Sequence, residues 1–303
     1  SRRVPLTVWF AGYLLFAIVC GGIAGVALVD LVRAFSDPDS TSKLLRQPES
    51  AVRRVQMIFA LLPLPWLLRR IGWRGWSDSG WRSPGRPPAR LFARAWAMAV
   101  VTLGLVAVLA FAFGGRVFDP DPNWLRRIPV FLAATIVVGV FEETLVRGIF
   151  FLPLARAWGA TTAALATSLA FSWAHFLEPA REAFAVEGFL PRCAAVLGSA
   201  LAAIAHHPNW AVHFTNLALI GVVLCAVTAR ERSIWTAAGL HAGWVWLKRS
   251  ISVSSNTPEQ VPFAPWVAGR SDFLDGLSTT LILLVLLAWA LRRPRADSAE
   301  GAP

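Results

Sequence analysis

Runs of about twenty mostly apolar residues recur along this chain, and they constrain its fold more tightly than any other feature. A helix needs about 20 such residues to cross the hydrocarbon core of a bilayer, and only helices and closed barrels satisfy their own backbone there. The runs occupy residues 7–29, 91–113, 128–151, 159–177, 212–229 and 273–291. Two shorter ones, 55–68 with Pro63 and Pro65 inside it and 234–247, complete the set. With 56% hydrophobic and 16% charged residues and a mean hydropathy of +0.55, the chain lies outside the composition of soluble domains. The expected fold class is all-α, a polytopic membrane bundle of about eight transmembrane helices. The apolar segment 193–205 is too short to span comfortably and is read as re-entrant or peripheral.

Net charge is +11. On a membrane protein such an excess reports topology or contact with anionic lipid, so the lipid bilayer is the expected partner and nucleic acid is not. Seven arginines lie from Arg69 to Arg94 against one acid, Asp78, in a loop rich in Pro and Gly that should be cytoplasmic. Arg2 and Arg3, the cluster Arg292, Arg293 and Arg295, and the pair Arg230 and Arg232 around Glu231 fit the same side. Eight crossings with both termini cytoplasmic satisfy all of them, provided 193–205 does not cross. The N-terminal apolar run exceeds a signal-peptide core and is read as the first span. Cys20, Cys193 and Cys225 show no CxxC spacing and are read as packing residues. Tryptophans such as Trp66, Trp73, Trp76, Trp124 and Trp158 stand near expected span ends, as in an interfacial belt. The tail after Arg295 is expected to be disordered.

One apolar segment carries charge. Residues 137–147 read VVGVFEETLVR, which puts Glu142, Glu143 and Arg147 into a spanning helix. A charged side chain there costs at least about 2.5–3.5 kcal/mol, so such residues face protein and mark function. Arg147 lies one helical turn after Glu143 and can pair with it, whereas Glu142 points about 100° away. One acid is therefore held while the other stays available. His175 ends the next run. Glu142 precedes, and His175 follows, the turn near Trp158 and Gly159 by about 16 residues each, or roughly 24 Å of helix, so a hairpin sets them at one depth. His241 lies about ten residues, or roughly 15 Å, beyond the basic turn at Arg230–Arg232 on the same side. A Glu–Arg pair can serve packing alone, and a lone histidine on an apolar face is more often a hydrogen-bonded core residue. Several costly groups at compatible depths point instead to a shared task. His206, His207 and His213 sit in a polar turn, with metal or substrate contact as their functional reading.

In these residues the chain resembles the CPBP family of membrane proteases, which includes type II CAAX prenyl endopeptidases and bacterial Abi proteins. Glu142 to Arg147 matches the family's EExxxR, Phe171 to His175 its FxxxH, and His241 the histidine of its third motif. The resemblance implies an organisation of N-terminal helices over 1–127, a catalytic core over 128–248, and a last helix and tail over 249–303. It implies an intramembrane endopeptidase of a bacterial cytoplasmic membrane, acting near the C-terminus of a membrane-anchored protein or peptide substrate. Glu142 would be the general base assisted by His175, Glu143 would be oriented by Arg147, and His241 would hold the oxyanion. Phe171 and Trp244 would contact substrate.

The third motif often continues to an Asn or Asp four residues on, where this chain has Val245. Another donor, such as Trp244 or Asn216, would then have to serve, or the role of His241 is reduced. The context of His241 is similar to bacterial branches, so prenylated substrates are not implied. No cofactor is expected, because the chain has no HExxH; a zinc-dependent form on Glu142, His175 and His241 is the alternative. A non-catalytic scaffold or immunity protein, and more remotely a proton-coupled transporter, are readings from other classes.

Overall fold

The apolar runs fold as helices, and small residues on their faces set how closely those helices pack. The computed structural model describes residues 6–36, 43–70, 73, 75–83, 85–207, 209–258 and 273–292. Along the chain come α1 (Leu6–Phe35), α2 (Lys43–Arg46), α3 (Pro48–Leu61), α4 (Leu64–Arg70), α5 (Pro88–Ala112) and α6 (Trp124–Glu143). A π-helical segment, Thr144–Phe151, leads into α7 (Leu152–Trp158). Then follow α8 (Ala160–Ala174), α9 (Phe189–His206), α10 (Trp210–Glu231), α11 (Trp235–Ser252) and α12 (Leu277–Arg292). The only strands among the described residues form a two-residue ribbon, Val117–Phe118 against Ser255–Asn256. The protein is an all-α polytopic membrane bundle, and among the described residues six helices are long and apolar enough to cross a bilayer. The tail after Arg295 lies outside the described residues.

One of the six differs from the sequence reading. The segment expected to stop short of crossing extends at both ends into α9, 18 residues long and apolar enough to span. Gly188, at φ +81, lets the chain turn into it. The run broken by Pro63 also reaches spanning length, because α3 and α4 form one 23-residue apolar stretch. Pro63 lacks a donor, but its carbonyl accepts from Leu67 at 2.9 Å and helix resumes at once.

The chain divides into two compact units. The first holds Ser1–Trp73 and Trp173–Pro208. In it α1 meets α3 through glycines: a Cβ at Gly21 would stand 2.7 Å from Cα of Gln56, and one at Gly25 2.8 Å from Cα of Val52. Such spacing of small residues lets two membrane helices pack backbone to backbone. Tyr13 donates to the Ala60 carbonyl at 2.6 Å across this contact, and Val26, Val29, Val52, Phe184 and Val196 fill the core behind it.

The second unit holds Arg74–Ser172 and Asn209–Pro303. Its centre is α11. On one face Gly239 and Gly243 lie against α5, where added Cβ atoms would come within 2.3 Å of the Phe92 carbonyl and 2.7 Å of the Trp96 carbonyl. On another face α6 approaches at Gly139, where a Cβ would be 3.1 Å from the Ala238 carbonyl and from Ala242. The two neighbours run in opposite senses, since Trp246 near the far end of α11 donates to the Ile128 carbonyl at the start of α6. Leu224 and Val227 of α10 pack with Leu283 and Leu286 of α12 to close the core.

Candidate active site

Glu142 and Glu143 close α6, and Arg147 sits in the π-helical segment that follows. Pro153 gives a local reason for that segment. In a continuous α-helix its ring would strike the carbonyl four residues back. The backbone widens first, and the Leu152 N–H bonds to the Arg147 carbonyl, five residues back. Such segments recur at functional sites. Here the widened turn accommodates the segment Trp76–Ser79: a Cβ at Gly148 would be 2.5 Å from the Ser79 carbonyl oxygen. The sequence reading missed this feature, although Pro153 was its signal.

The carboxylate of Glu143 and the guanidinium of Arg147 are fully buried. Arg147 Nη1 donates to Glu143 Oε1 at 2.8 Å. The same oxygen lies 2.7 Å from Nδ1 of His241. Glu143 Oε1 accepts from Arg147, and with Nδ1 as the donor to the same oxygen the imidazole is fixed so that Nε2 turns the other way. Phe171 completes the enclosure. Its ring lies 4.9 Å from the Arg147 guanidinium carbon and meets His241 edge-on at 6.5 Å. Arg147 Nε and Nη2 and Glu143 Oε2 are buried without a hydrogen-bond partner among the described residues.

Glu142 is placed differently. About a third of its side chain is exposed, at 32%, and its Oε2 stands 3.7 Å from His241 Nε2. The two acids thus divide as their helical positions require, one locked under Arg147 and the other facing the open side of His241.

His241 owes its position to close packing on both sides. Gly239 and Gly243 let α11 sink onto α5, while Ala238 and Ala242 lie against Gly139 of α6, so the imidazole reaches both carboxylates. The residues considered as replacements for the donor absent at Val245 are held by other partners. Trp244 Nε1 donates to Thr102 at 3.1 Å. The Asn216 amide donates to the carbonyls of Leu274 at 2.7 Å and Gly276 at 3.2 Å, and its oxygen accepts from Thr280.

His175 belongs to the first unit, where it lines a cavity of about 510 Å³ together with Phe176, Glu178, Ser199, His206 and His207. His213 lies in the second unit, with Nδ1 2.6 Å from the buried Asp275 carboxylate. The structure therefore brings Glu142, Glu143, Arg147, Phe171 and His241 together, with Trp244 three residues further along α11. For a metal, Glu142 Oε2 and His241 Nε2 are donors of the types that zinc takes.

Residues 123–247 match the family model described as Type II CAAX prenyl endopeptidase Rce1-like. Over these residues the chain is similar to the CPBP family. The CPBP segment begins at the residue before α6, ends inside α11, and contains every residue of the cluster around His241 as well as His175. The match supports an intramembrane endopeptidase of the CAAX type in general, acting on a protein substrate and embedded in lipid through its apolar helices. Comparison with curated proteins and with solved structures finds no match.

Proposed function

We propose that this protein cleaves a membrane-anchored protein or peptide near its C-terminus by means of a water activated by Glu142. The observation that carries the reading is the division between the two acids. Glu143 is buried and held by both Arg147 and His241. Glu142 is partly open and faces His241 Nε2 at 3.7 Å, a separation that one bridging water spans.

In the reaction Glu142 takes a proton from the water, and the hydroxide attacks the scissile carbonyl carbon. His241 stabilises the tetrahedral oxyanion through Nε2, and it must then carry a proton on each nitrogen. Glu143, bonded to Nδ1, offsets the resulting charge. Arg147 holds the Glu143 carboxylate in place. When the intermediate collapses, the C–N bond breaks and the proton on Glu142 passes to the leaving amine. The resemblance at FxxxH assigns His175 to the same reaction. The enzyme would work in a bacterial cytoplasmic membrane, with the arginine-rich loop on the cytoplasmic side.

A cleavage assay on membrane-anchored peptides, with the purified protein in proteoliposomes, tests the reading. Glu142→Ala and His175→Ala should each abolish turnover, and full activity in either would overturn the assignment. Activity lost to a chelator and restored by zinc would replace the metal-free mechanism with the metal-dependent one. The second reading, a non-catalytic scaffold, is favoured by Val245 and by the engagement of Trp244 and Asn216 elsewhere. A cellular phenotype that survives Glu142→Ala but not Arg147→Ala would support it.

A further inference from the structure

Away from the carboxylates, the second unit has a cavity of about 220 Å³ where three elements converge. Arg86, before α5, and Arg94, on its second turn, line it together with Thr236 at the start of α11 and Trp289 near the end of α12. Leu91, Ala95 and Met98 form an apolar wall along α5. We propose that this cavity binds the phosphate headgroup of an anionic phospholipid.

Charge is the first argument. Neither Arg86 nor Arg94 has an ion-pair partner among the described residues, and both side chains are exposed at the same opening. The nearby acid, Glu231, accepts the hydroxyl of Thr236 and is flanked by Arg230 and Arg232. The lining of the cavity thus carries two guanidiniums and no carboxylate. Two unpaired guanidiniums present planar donor forks suited to phosphate oxygens.

Position and size are the second argument. The cavity lies where α5 begins a spanning run of 25 residues and where the apolar α12 ends, which is the level of lipid headgroups. Basic pockets between membrane helices at this level recognise anionic headgroups. The volume falls below the roughly 300–1,000 Å³ of pockets for whole organic ligands, so it suits a headgroup whose chains continue outside. The apolar wall and the Trp289 indole give such chains a surface to follow, whereas a free phosphate would gain nothing from them. Thr236 stands five residues before His241, about 7.5 Å along the same helix. A bound lipid would thus brace the end of α11 nearest the proposed chemistry.

Native mass spectrometry of the full chain in detergent, titrated with phosphatidylglycerol and with phosphatidylcholine of identical acyl chains, tests the proposal. The wild type should retain phosphatidylglycerol preferentially, with each arginine contributing about fivefold. Arg86→Gln/Arg94→Gln should erase the preference, while Arg86→Lys/Arg94→Lys and Arg126→Gln, at the opposite end of the α6–α11 pair, should keep it. Equal retention of both lipids by the wild type, or an undiminished preference in the double Gln variant, would overturn the proposal. Displacement of phosphatidylglycerol by millimolar inorganic phosphate would reassign the cavity to free anions and also sink the lipid site. The lysine variant controls for folding, since its preference must persist if charge at these positions is what binds.

Discussion

His241 is bonded to Glu143 and not to Glu142: its Nδ1 lies 2.7 Å from Glu143 Oε1, while its Nε2 stands 3.7 Å from Glu142 Oε2. The imidazole is therefore a link between the two acids, fixed at one nitrogen by the buried carboxylate and offered at the other to the open one. Neighbours in sequence that share chemistry thus stand in different relations to a single histidine from another helix.

Glu142→Gln should separate chemistry from stability. It keeps the side-chain volume of a partly exposed group, so stability should change by no more than about 1 kcal/mol, while turnover should fall by a factor of about 10² or more. Thermal unfolding in detergent and the peptide cleavage assay read the two effects on one preparation. Unchanged turnover would remove Glu142 from the role of base.

Glu143 and Arg147 should behave as a couple. Glu143→Leu or Arg147→Met alone leaves an uncompensated buried charge and should cost about 3–5 kcal/mol. The double variant should recover most of this, since a buried pair is often replaced by apolar groups at little net cost. A double-mutant cycle on unfolding free energy gives the coupling. Additive losses would show that the pair does not interact as its geometry requires.

Close packing of α11 predicts a graded glycine series. Gly239→Ala and Gly243→Ala force a Cβ into the backbone carbonyls of Phe92 and Trp96 and should each cost about 1–3 kcal/mol. Gly104→Ala, whose nearest neighbour is 3.9 Å away, should be neutral or stabilising in its helix. Melting temperatures of the three variants check this. In the first two, activity should fall further than stability alone explains, because His241 moves with the helix.

Trp244→Phe distinguishes packing from substrate contact. It removes the bond to Thr102 and should cost about 0.5–1.5 kcal/mol. If Trp244 also contacts substrate, KM for the peptide should rise while kcat holds; an unchanged KM would confine Trp244 to packing.

Much of the site was legible because its logic is local. Lipid makes charge costly, so Glu142, Glu143 and Arg147 stand out in an apolar run, and helical geometry alone separates the two acids. The pairing of Glu143 with Arg147 and the turn at Gly159, with φ +83, follow from spacing within a few residues. The π-helical segment was less legible. Pro153 announces a disturbance, but whether a helix kinks, breaks or widens depends on what packs beside it, here Ser79 against Gly148.

The sequence by itself determined that this chain is a bundle of membrane helices, which residues place costly charge in an apolar run, and which acid an arginine would hold. Only the tertiary structure decided that His241 bonds Glu143, 98 residues away, that α9 and the pair α3–α4 reach spanning length, and that two arginines of α5 and its preceding loop meet α11 and α12 around one cavity. The physical reason is the range of the interactions. Helix formation and the expense of burying charge act within one or two turns of chain. The approach of α11 to α5 and α6 depends instead on glycines and alanines that must face each other across helices, and no spacing within one segment records which surfaces will meet.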